Sequence, residues 1–181
     1  MFEDILKETA KVRMDNEFDD YKDLSVTDQI KKHIARVAEL AGILGYMIIA
    51  RGETHDSSKL EEPELSKWEK YVPFLSKFEY GTKEYKDASN KMSDVIELHH
   101  EANRHHPQHH EHGIEDMDLV DIIELICDWK AASERTNGGD IYKSIEDGQK
   151  RFGYSDDLKK ILINTVKILE EKENKNNAET V

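Results

Sequence analysis

Cysteine is almost absent from the chain, which has a single one, Cys127, among 181 residues. One thiol cannot form an intramolecular disulfide, so the fold does not depend on covalent cross-links, and such usage is typical of a reducing compartment. The first residues, Met1 to Lys11, are acidic and lack the apolar core of a signal peptide. Together these features predict a cytoplasmic protein.

Long uninterrupted apolar runs are missing as well. The longest, Ala41 to Ala50, is far shorter than the ~20 residues that a helix needs to cross a bilayer. We therefore expect no association with a membrane.

Positive charge is scarce. The chain has 26 Lys and Arg against 39 Asp and Glu, and its formal net charge is −13. This balance disfavours an extended surface for nucleic acid or for anionic lipid. It does not exclude a small phosphorylated ligand, because divalent cations and a few placed Lys or Arg side chains invert the charge locally.

Proline is rare, with three residues at positions 63, 73 and 107, so little interrupts a helical pattern. Apolar residues make up 37% of the chain and charged residues 36%, a balance that suits amphipathic helices. We find no strand alternation and no internal repeat. The sequence predicts an all-α, single-domain bundle of about six to seven helices over residues 25–172, with a partly helical lead-in at 1–24 and a polar, flexible tail at 173–181.

Apolar spacing sets the predicted helices. The first begins with Thr27 as N-cap and ends near Ala50, and its apolar stripe includes Ile30, Ile34 and Val37. Further helices are predicted for residues 63–75, 82–100, 117–135, 141–152 and 155–172. The helix at 117–135 is apolar on most sides, which predicts a central position.

Four residues suggest a metal site. His55 and Asp56 are adjacent at a point where the chain must turn, and His33 lies on the core-facing side of the preceding helix. Asp128 is a carboxylate within the mostly apolar helix, and a buried carboxylate needs a partner, which a metal ion can be. Imidazole and carboxylate ligands suit divalent ions of the Zn, Fe, Mn, Co and Ni type.

The order His33, His55-Asp56, Asp128 resembles the H…HD…D signature of the HD superfamily. That resemblance implies an all-α fold and a metal-dependent phosphohydrolase that acts on phosphate esters, including nucleotides. Three strings, HDSSKL, HHEANRHHPQHHEHGI and MDLVDIIELICDWKAASER, also resemble a small family of uncharacterised phage and bacterial proteins, over roughly residues 27–170. This second resemblance implies no activity.

Seven of the nine histidines fall between positions 99 and 112. A zincin needs His-Glu-x-x-His, and the string HEANRH at residues 100–105 has one residue too many. A di-iron helical bundle needs two Glu-x-x-His motifs, and only one is evident here, ELHH at residues 97–100.

The run His99-His100-Glu101 resembles the HHE element of the HD-GYP branch of the superfamily, but the Gly-Tyr-Pro that should follow is missing. Two interpretations remain. The imidazoles bind a second metal ion, or they face the water and the substrate phosphate of the first. His99 and His100 are predicted as additional metal ligands, and His105 and His106 as catalytic groups. His109, His110 and His112 are equally compatible with a solvated loop.

Cations near the predicted ligands are candidates for binding phosphate. Lys59 follows Asp56 by three residues, matching the HD-x-x-K strings of several HD hydrolases, and Arg36 follows His33 by three residues on the same helix. Lys130 and Arg135, near Asp128, are weaker candidates.

The sequence thus favours a phosphohydrolase that uses water activated by one or two divalent ions, drawn from Mn, Fe, Zn, Co, Ni and Mg. The expected substrate is a nucleotide or another small phosphate ester. Two alternatives stay open, an HD-fold di-iron oxygenase and a protein that binds a nucleotide or a partner without turnover. The oligomeric state is also open, with a homodimer as one option.

Overall fold

Helices make up most of what the computed structural model describes, and no strand occurs in those parts of the chain. The described residues are 24–75, 77–78, 82–136 and 138–179. The all-α class is therefore confirmed over this range. The predicted lead-in at 1–24 lies, except for Leu24, outside the described residues. The α-helices are α1 (Val26–Glu53), α2 (Glu64–Leu75), α3 (Lys83–Ser89), α4 (Ser93–Ala102), α5 (Leu119–Arg135), α6 (Ile141–Phe152) and α7 (Asp156–Glu179).

The chain divides into two compact units, Met1–Glu53 and Thr54–Val181. In the first unit the structure describes α1, which begins two residues earlier than predicted. Ser25 caps it, because its hydroxyl accepts the backbone N–H of Asp28 at 3.2 Å and its carbonyl accepts the N–H of Gln29 at 3.0 Å. The prediction that Thr27 is the N-cap is wrong, and the helix runs three residues past Ala50.

Segment 26–60, which contains α1, is long and apolar enough to cross a membrane when length and composition alone are considered. The core helix of a soluble protein meets the same two criteria. The expectation of no membrane association stays a prediction.

In the second unit, helices α5, α6 and α7 share a hydrophobic core. Its buried residues are Ile126, Ile141, Ile145, Tyr154, Leu162 and Val166. Asp140 caps α6 by accepting the backbone N–H groups of Tyr142 and Lys143. Gly153 ends the helix in the left-handed conformation, at φ 72°, which glycine adopts without strain.

Helix α5 has a polar side that its apolar sequence pattern does not predict. Ile126 faces the core described above, but Asp121 and Glu124 are also buried, although the helix was predicted to be apolar on most sides. Asp121, Glu124 and Asp128 follow one another at spacings of three and four residues, so they form one acidic stripe along the helix. This stripe faces the histidines of the second unit.

Two other boundaries differ from the prediction. Residues 82–100 do not form one helix, because a 3₁₀ turn at Asn90–Met92 separates α3 from α4, which continues to Ala102. The segment 173–179 was predicted as part of a flexible tail, but it belongs to α7. Lys130 of α5 pairs with Glu173 at 3.4 Å and also pairs with Glu134, which gives this part of α7 a contact with the rest of the unit.

Candidate metal centre

The turn at His55-Asp56 has an unusual backbone. Asp56 has φ 54° and ψ 19°, and it is the only non-glycine residue with positive φ in the described parts of the chain. Asp tolerates this left-handed conformation better than most residues do. The sharp turn directs two adjacent side chains to one place, so that His55 Nε2 lies 3.5 Å from Asp56 Oδ2. The turn expected here is confirmed.

Four side chains form a first group of ligand atoms, which all lie within 4.8 Å of one another: Asp56, His99, His105 and His106. Asp56 Oδ1 is 3.1 Å from His99 Nε2 and 3.5 Å from His105 Nε2, and His99 Nε2 is 3.0 Å from His106 Nε2. Two ligands bound at about 2.1 Å to one ion are about 3.0 Å apart at a right angle and about 3.4 Å apart at a tetrahedral angle. The spacing of these atoms is therefore that of ligands around one ion.

Two atoms of this group have no hydrogen-bond partner. Asp56 Oδ1 and His105 Nε2 are both buried. No neighbouring atom in the described parts of the chain forms a hydrogen bond of acceptable geometry with either of them. Leaving a buried polar atom unsatisfied costs about 1–3 kcal/mol. A cation between the two atoms would remove that cost, so the residues present fit a divalent ion.

His99 is oriented by a buried carboxylate. Its Nδ1 lies 3.0 Å from Glu64 Oε2, and His99 and Glu64 are 3% and 2% exposed. Trp68 donates its indole N–H to the same carboxylate oxygen at 3.0 Å. With a metal ion bound, an imidazole that donates Nδ1–H to a carboxylate would direct the lone pair of Nε2, the atom that faces Asp56, at the ion.

Glu124 of α5 orients two further imidazoles. Its Oε1 atom lies 2.9 Å from His55 Nδ1 and 3.1 Å from His105 Nδ1. In both rings Nε2 then faces the cluster. Three of the imidazoles thus have the carboxylate–histidine arrangement that accompanies metal ligation in proteins.

A second group of ligand atoms comprises His55, His105 and Asp128. His55 Nε2 lies 3.5 Å from Asp128 Oδ1. The hydrogen bonds of His55 to Asp128 and to Glu124 outweigh its burial and raise the pKa of this imidazole to about 10. Without an ion, His55 therefore carries a positive charge between the carboxylates.

Asp56 carries the negative charge of the centre. Burial alone would raise the pKa of its carboxyl group, but the contacts with His99 and Lys59 outweigh burial and hold the pKa well below its ordinary value. Lys59 Nζ lies 2.5 Å from Asp56 Oδ2 and 4.9 Å from the centre of the Trp68 ring. An ionised carboxylate is the form that binds a metal.

His100 and His106 are neutral at physiological pH. Burial, together with the charges of neighbouring histidines, lowers the pKa of His106 to about 2 and that of His100 to about 4. The two ring centres are 4.6 Å apart. His106 belongs to the first ligand group, whereas His100 lies outside both groups that the described residues form.

The other three histidines of the second unit contact backbone carbonyls or an acidic side chain within eight positions of themselves. His109 lies 2.8 Å from the carbonyl of Glu101, His110 lies 2.8 Å from the carbonyl of Arg104, and His112 pairs with Asp116 at 2.9 Å. His112 is exposed, as the solvated-loop alternative expects, whereas the side chain of His110 is 7% exposed and its Nε2 lies 3.8 Å from the buried carboxylate of Asp121.

The histidine loop, residues 103–112, is attached to the first turn of α5. Arg104 contacts the fully buried carboxylate of Asp121 through two nitrogens, at 2.8 and 3.2 Å. Asp121 also forms a capping box with Asp118. Because His105 and His106 directly follow Arg104, this ion pair fixes the start of the segment that supplies two ligand candidates.

The structure brings together six of the residues singled out in the sequence: His55, Asp56, Asp128, His99, His105 and His106. His33 and Arg36 lie on α1 in the first unit, where Arg36 pairs with Glu39 at 2.5 Å, and their roles stay predictions. Glu64 and Glu124 were missed. Glu124 could have been found, because it is a carboxylate in the same apolar helix as Asp128 and one turn before it.

No curated protein and no solved structure shows significant similarity to the chain. A family model matches residues 22–172, and this range contains α1 and every residue of the candidate metal centre. The chain therefore belongs to the family of unknown function DUF5662.

Proposed function

We propose that this protein is a metal-dependent phosphohydrolase of the HD type, acting on a nucleotide or another small phosphate ester. One observation carries the proposal. The Nε2 atoms of His99, His105 and His106 converge with Asp56 Oδ1, while Glu64 and Glu124 hold the Nδ1 atoms of His99 and His105. Two of these four atoms, Asp56 Oδ1 and His105 Nε2, are buried without a hydrogen-bond partner, and a cation between them would satisfy both.

The two ligand groups support one or two ions. His105 belongs to both groups, yet its Nδ1 faces Glu124, so it has one nitrogen to offer and serves one ion. Asp56 can serve both, because Oδ1 faces His99 and His105 while Oδ2 faces His55. A divalent ion bound here supplies a Lewis acid that polarises phosphoryl oxygens and lowers the pKa of water.

The HD assignment rests on the proximity of His55, Asp56 and Asp128, residues that match the HD…D part of the signature. The remaining histidine of the signature, His33, is proposed as a further ligand from α1. Its role is tested by His33→Ala, which lowers metal affinity if His33 binds the ion.

Charge supports a small phosphorylated substrate. The net charge of −13 repels large polyanions, but Lys59 places an ammonium group beside Asp56. A metal ion that binds Asp56 would compete with Lys59 for this carboxylate. We propose that the displaced ammonium group then binds a phosphate oxygen of the substrate.

Elemental analysis of the purified protein tests the centre. The wild type should hold one or two divalent transition-metal ions per chain, and His99→Gln and His105→Gln should lose them. His112→Gln is the matched control, because its side chain is exposed and pairs only with Asp116 in the described loop. Circular dichroism shows whether each variant is folded. A metal-free wild type, or full occupancy in the His99 and His105 variants, would contradict the proposal.

Hydrolysis is then measured on the metal-loaded protein with a panel of nucleotides and small phosphate esters. The proposal expects release of phosphate that stops in His105→Gln and continues in His112→Gln. Metal binding without hydrolysis of any ester would overturn the hydrolase and favour a binding protein. Two iron ions per chain with consumption of O₂ would favour the oxygenase instead.

A further inference from the structure

The first ligand group is assembled from three segments of the chain. Asp56 lies at the sharp turn, His99 lies on α4, and His105 and His106 lie in the histidine loop. One ion can bind all four side chains only if these segments keep their spacing to within about 0.5 Å. Asn103 is the first residue of the histidine loop, and its side chain contacts the other two segments.

The contacts of Asn103 determine which way its amide group points. Its Nδ2 atom donates to the backbone carbonyl of His99 at 2.8 Å, and a carbonyl oxygen can only accept, so this end of the amide is the NH₂ group. The second N–H of the same nitrogen donates to Ser58 Oγ at 2.9 Å. The backbone N–H of Asn103 also donates to the carbonyl of His99, at 3.1 Å, where α4 ends.

The hydrogen bond to Ser58 connects the segments of two candidate ligands. Ser58 follows Asp56 by two residues, in the 3₁₀ turn Ser57–Leu60. It is separated from Asn103 by 45 positions, so the fold rather than local backbone geometry sets their distance. Between the same two segments, Asp56 Oδ1 lies 3.1 Å from His99 Nε2, a separation that suits two ligands of one ion.

A neutral amide suits a position next to a cation site. A Lys or Arg side chain could donate to the same two acceptors, but its charge would repel a divalent ion. A carboxylate could not donate to the carbonyl of His99. It would also compete with Glu64 for the His99 imidazole, whose Nδ1 lies 3.0 Å from Asn103 Nδ2. Asparagine supplies both hydrogen bonds without adding charge.

We propose that Asn103 is a positioning residue of the metal centre. Through Ser58 and the carbonyl of His99, it holds the Asp56 turn and α4 at the spacing that one ion requires. It acts through these neighbours, because neither of its side-chain hydrogen bonds goes to an atom of the first ligand group. This inference rests on the metal centre of the proposed function and does not depend on the reaction that takes place there.

Titration with Co²⁺, followed by its absorption spectrum, is the direct test, because the spectrum depends on the number and arrangement of the ligands. Asn103→Leu should bind Co²⁺ about 10–100-fold more weakly than the wild type, with a changed spectrum of the bound ion. Asn90→Leu is the matched control, since it makes the same substitution at an exposed asparagine of the second unit. It should change the affinity by less than about twofold and leave the spectrum unchanged.

Ser58→Ala removes the same hydrogen bond from its other side, and it keeps the test decisive if Asn103→Leu does not fold. Its affinity for Co²⁺ should fall about three- to tenfold, as expected for the loss of one hydrogen bond. Ser57→Ala, at the exposed neighbouring serine, should bind Co²⁺ as the wild type does. In a Ser58→Ala background, Asn103→Leu should weaken binding by a smaller factor than it does alone, because the bond between the two residues is already gone.

Urea unfolding separates positioning from a purely structural role. Variants of Asn103 and Ser58 that are less stable, but that bind Co²⁺ with wild-type affinity and spectrum, would overturn the inference, and hydrolysis of esters by the wild type would still support the hydrolase. If the affinity and the spectrum change as expected but the wild type hydrolyses no ester, the inference holds and the hydrolase fails. A folded wild type that binds no Co²⁺ would overturn the inference together with the metal centre.

Discussion

Glu124 Oε1 lies 3.1 Å from His105 Nδ1, and both side chains are buried. The same oxygen lies 2.9 Å from His55 Nδ1. A single carboxylate on α5 thus sets the orientation of imidazoles from two different parts of the chain. It also keeps the proton of each ring on the nitrogen that points away from the ligand cluster, which leaves Nε2 free for an ion.

Glu124→Gln should therefore weaken metal binding without removing a ligand. The amide keeps one acceptor oxygen, but it loses the charge that makes the two imidazoles more basic and holds their orientation. Partners of this kind typically contribute about 10–100-fold in metal affinity. Competition with a chelator measures the change. Glu111→Gln, an exposed acidic residue of the histidine loop, is the control and should bind metal as the wild type does.

The ion pair between Arg104 and Asp121 leads to a second prediction. Asp121→Asn keeps one acceptor for the capping contacts but loses the charge that binds Arg104, so the variant should be less stable by about 1–3 kcal/mol. Its metal affinity should also fall, because the loop carrying His105 and His106 is no longer fixed. Urea unfolding and chelator competition report the two effects separately.

Asp116→Asn is the control for that loop. Asp116 is exposed and pairs with His112 at the surface, so its removal should change stability by less than about 0.5 kcal/mol. Equal losses in the Asp116 and Asp121 variants would refute the idea that the pair between Arg104 and the buried Asp121 fixes the loop.

Local features of the sequence were enough to predict the helical class and the sharp turn at His55-Asp56. Apolar spacing repeats within one helix, and the helix that this spacing predicts ends near Ala50, shortly before the turn. Helix boundaries were less well predicted where several short polar residues could each serve as the helix cap. Ser25, rather than Thr27, caps α1, and the 3₁₀ turn at Asn90–Met92 interrupts a pattern that looked continuous.

The residues that orient the imidazoles could not be predicted in the same way. Glu124 is separated from His55 by 69 positions, and Glu64 from His99 by 35. Nothing in the local pattern distinguishes Glu64 from the many other glutamates in an acidic chain. The apolar helix around Glu124 indicates burial, but it does not indicate which imidazole Glu124 contacts. Their role depends on which imidazole the fold brings within hydrogen-bond distance, and this is a tertiary property.

Tyr154 leads to a prediction about alkaline pH. Its hydroxyl donates to the carbonyl of Ile145 at 2.5 Å, and burial raises the pKa of Tyr154 to about 12. The unfolded residue loses its proton near pH ~10. Between these values folding requires uptake of a proton, so the free energy of unfolding should fall as the pH rises.

Tyr154→Phe removes that titration. Urea unfolding at several pH values from about 9 to about 12 should show a shallower decline for the variant than for the wild type. At neutral pH the variant should be less stable by about 1 kcal/mol, because the carbonyl of Ile145 loses its partner. If the free energy of unfolding declined as steeply with pH in the variant as in the wild type, Tyr154 would not be the group that controls this decline. A residual slope is expected from Tyr142, since its hydrogen bond to Glu170 also raises its pKa.

At Gly148 the backbone of α6 packs directly against Trp129 of α5, the residue that follows the candidate ligand Asp128. Gly148→Ala places a methyl group 2.3 Å from Trp129 Cη2 and 2.7 Å from Cζ3, and the indole is already stacked on Phe152. Because a rigid ring in a packed core cannot move freely, the variant should be destabilised by about 1–3 kcal/mol in urea unfolding.

Gly45→Ala is the control, because a Cβ on this helical glycine meets no atom of the described residues within 4 Å. Removing a glycine from a helix should instead stabilise by up to about 1 kcal/mol. Since Trp129 adjoins Asp128, the displaced indole should also weaken metal binding in the Gly148 variant, while the Gly45 variant keeps its metal.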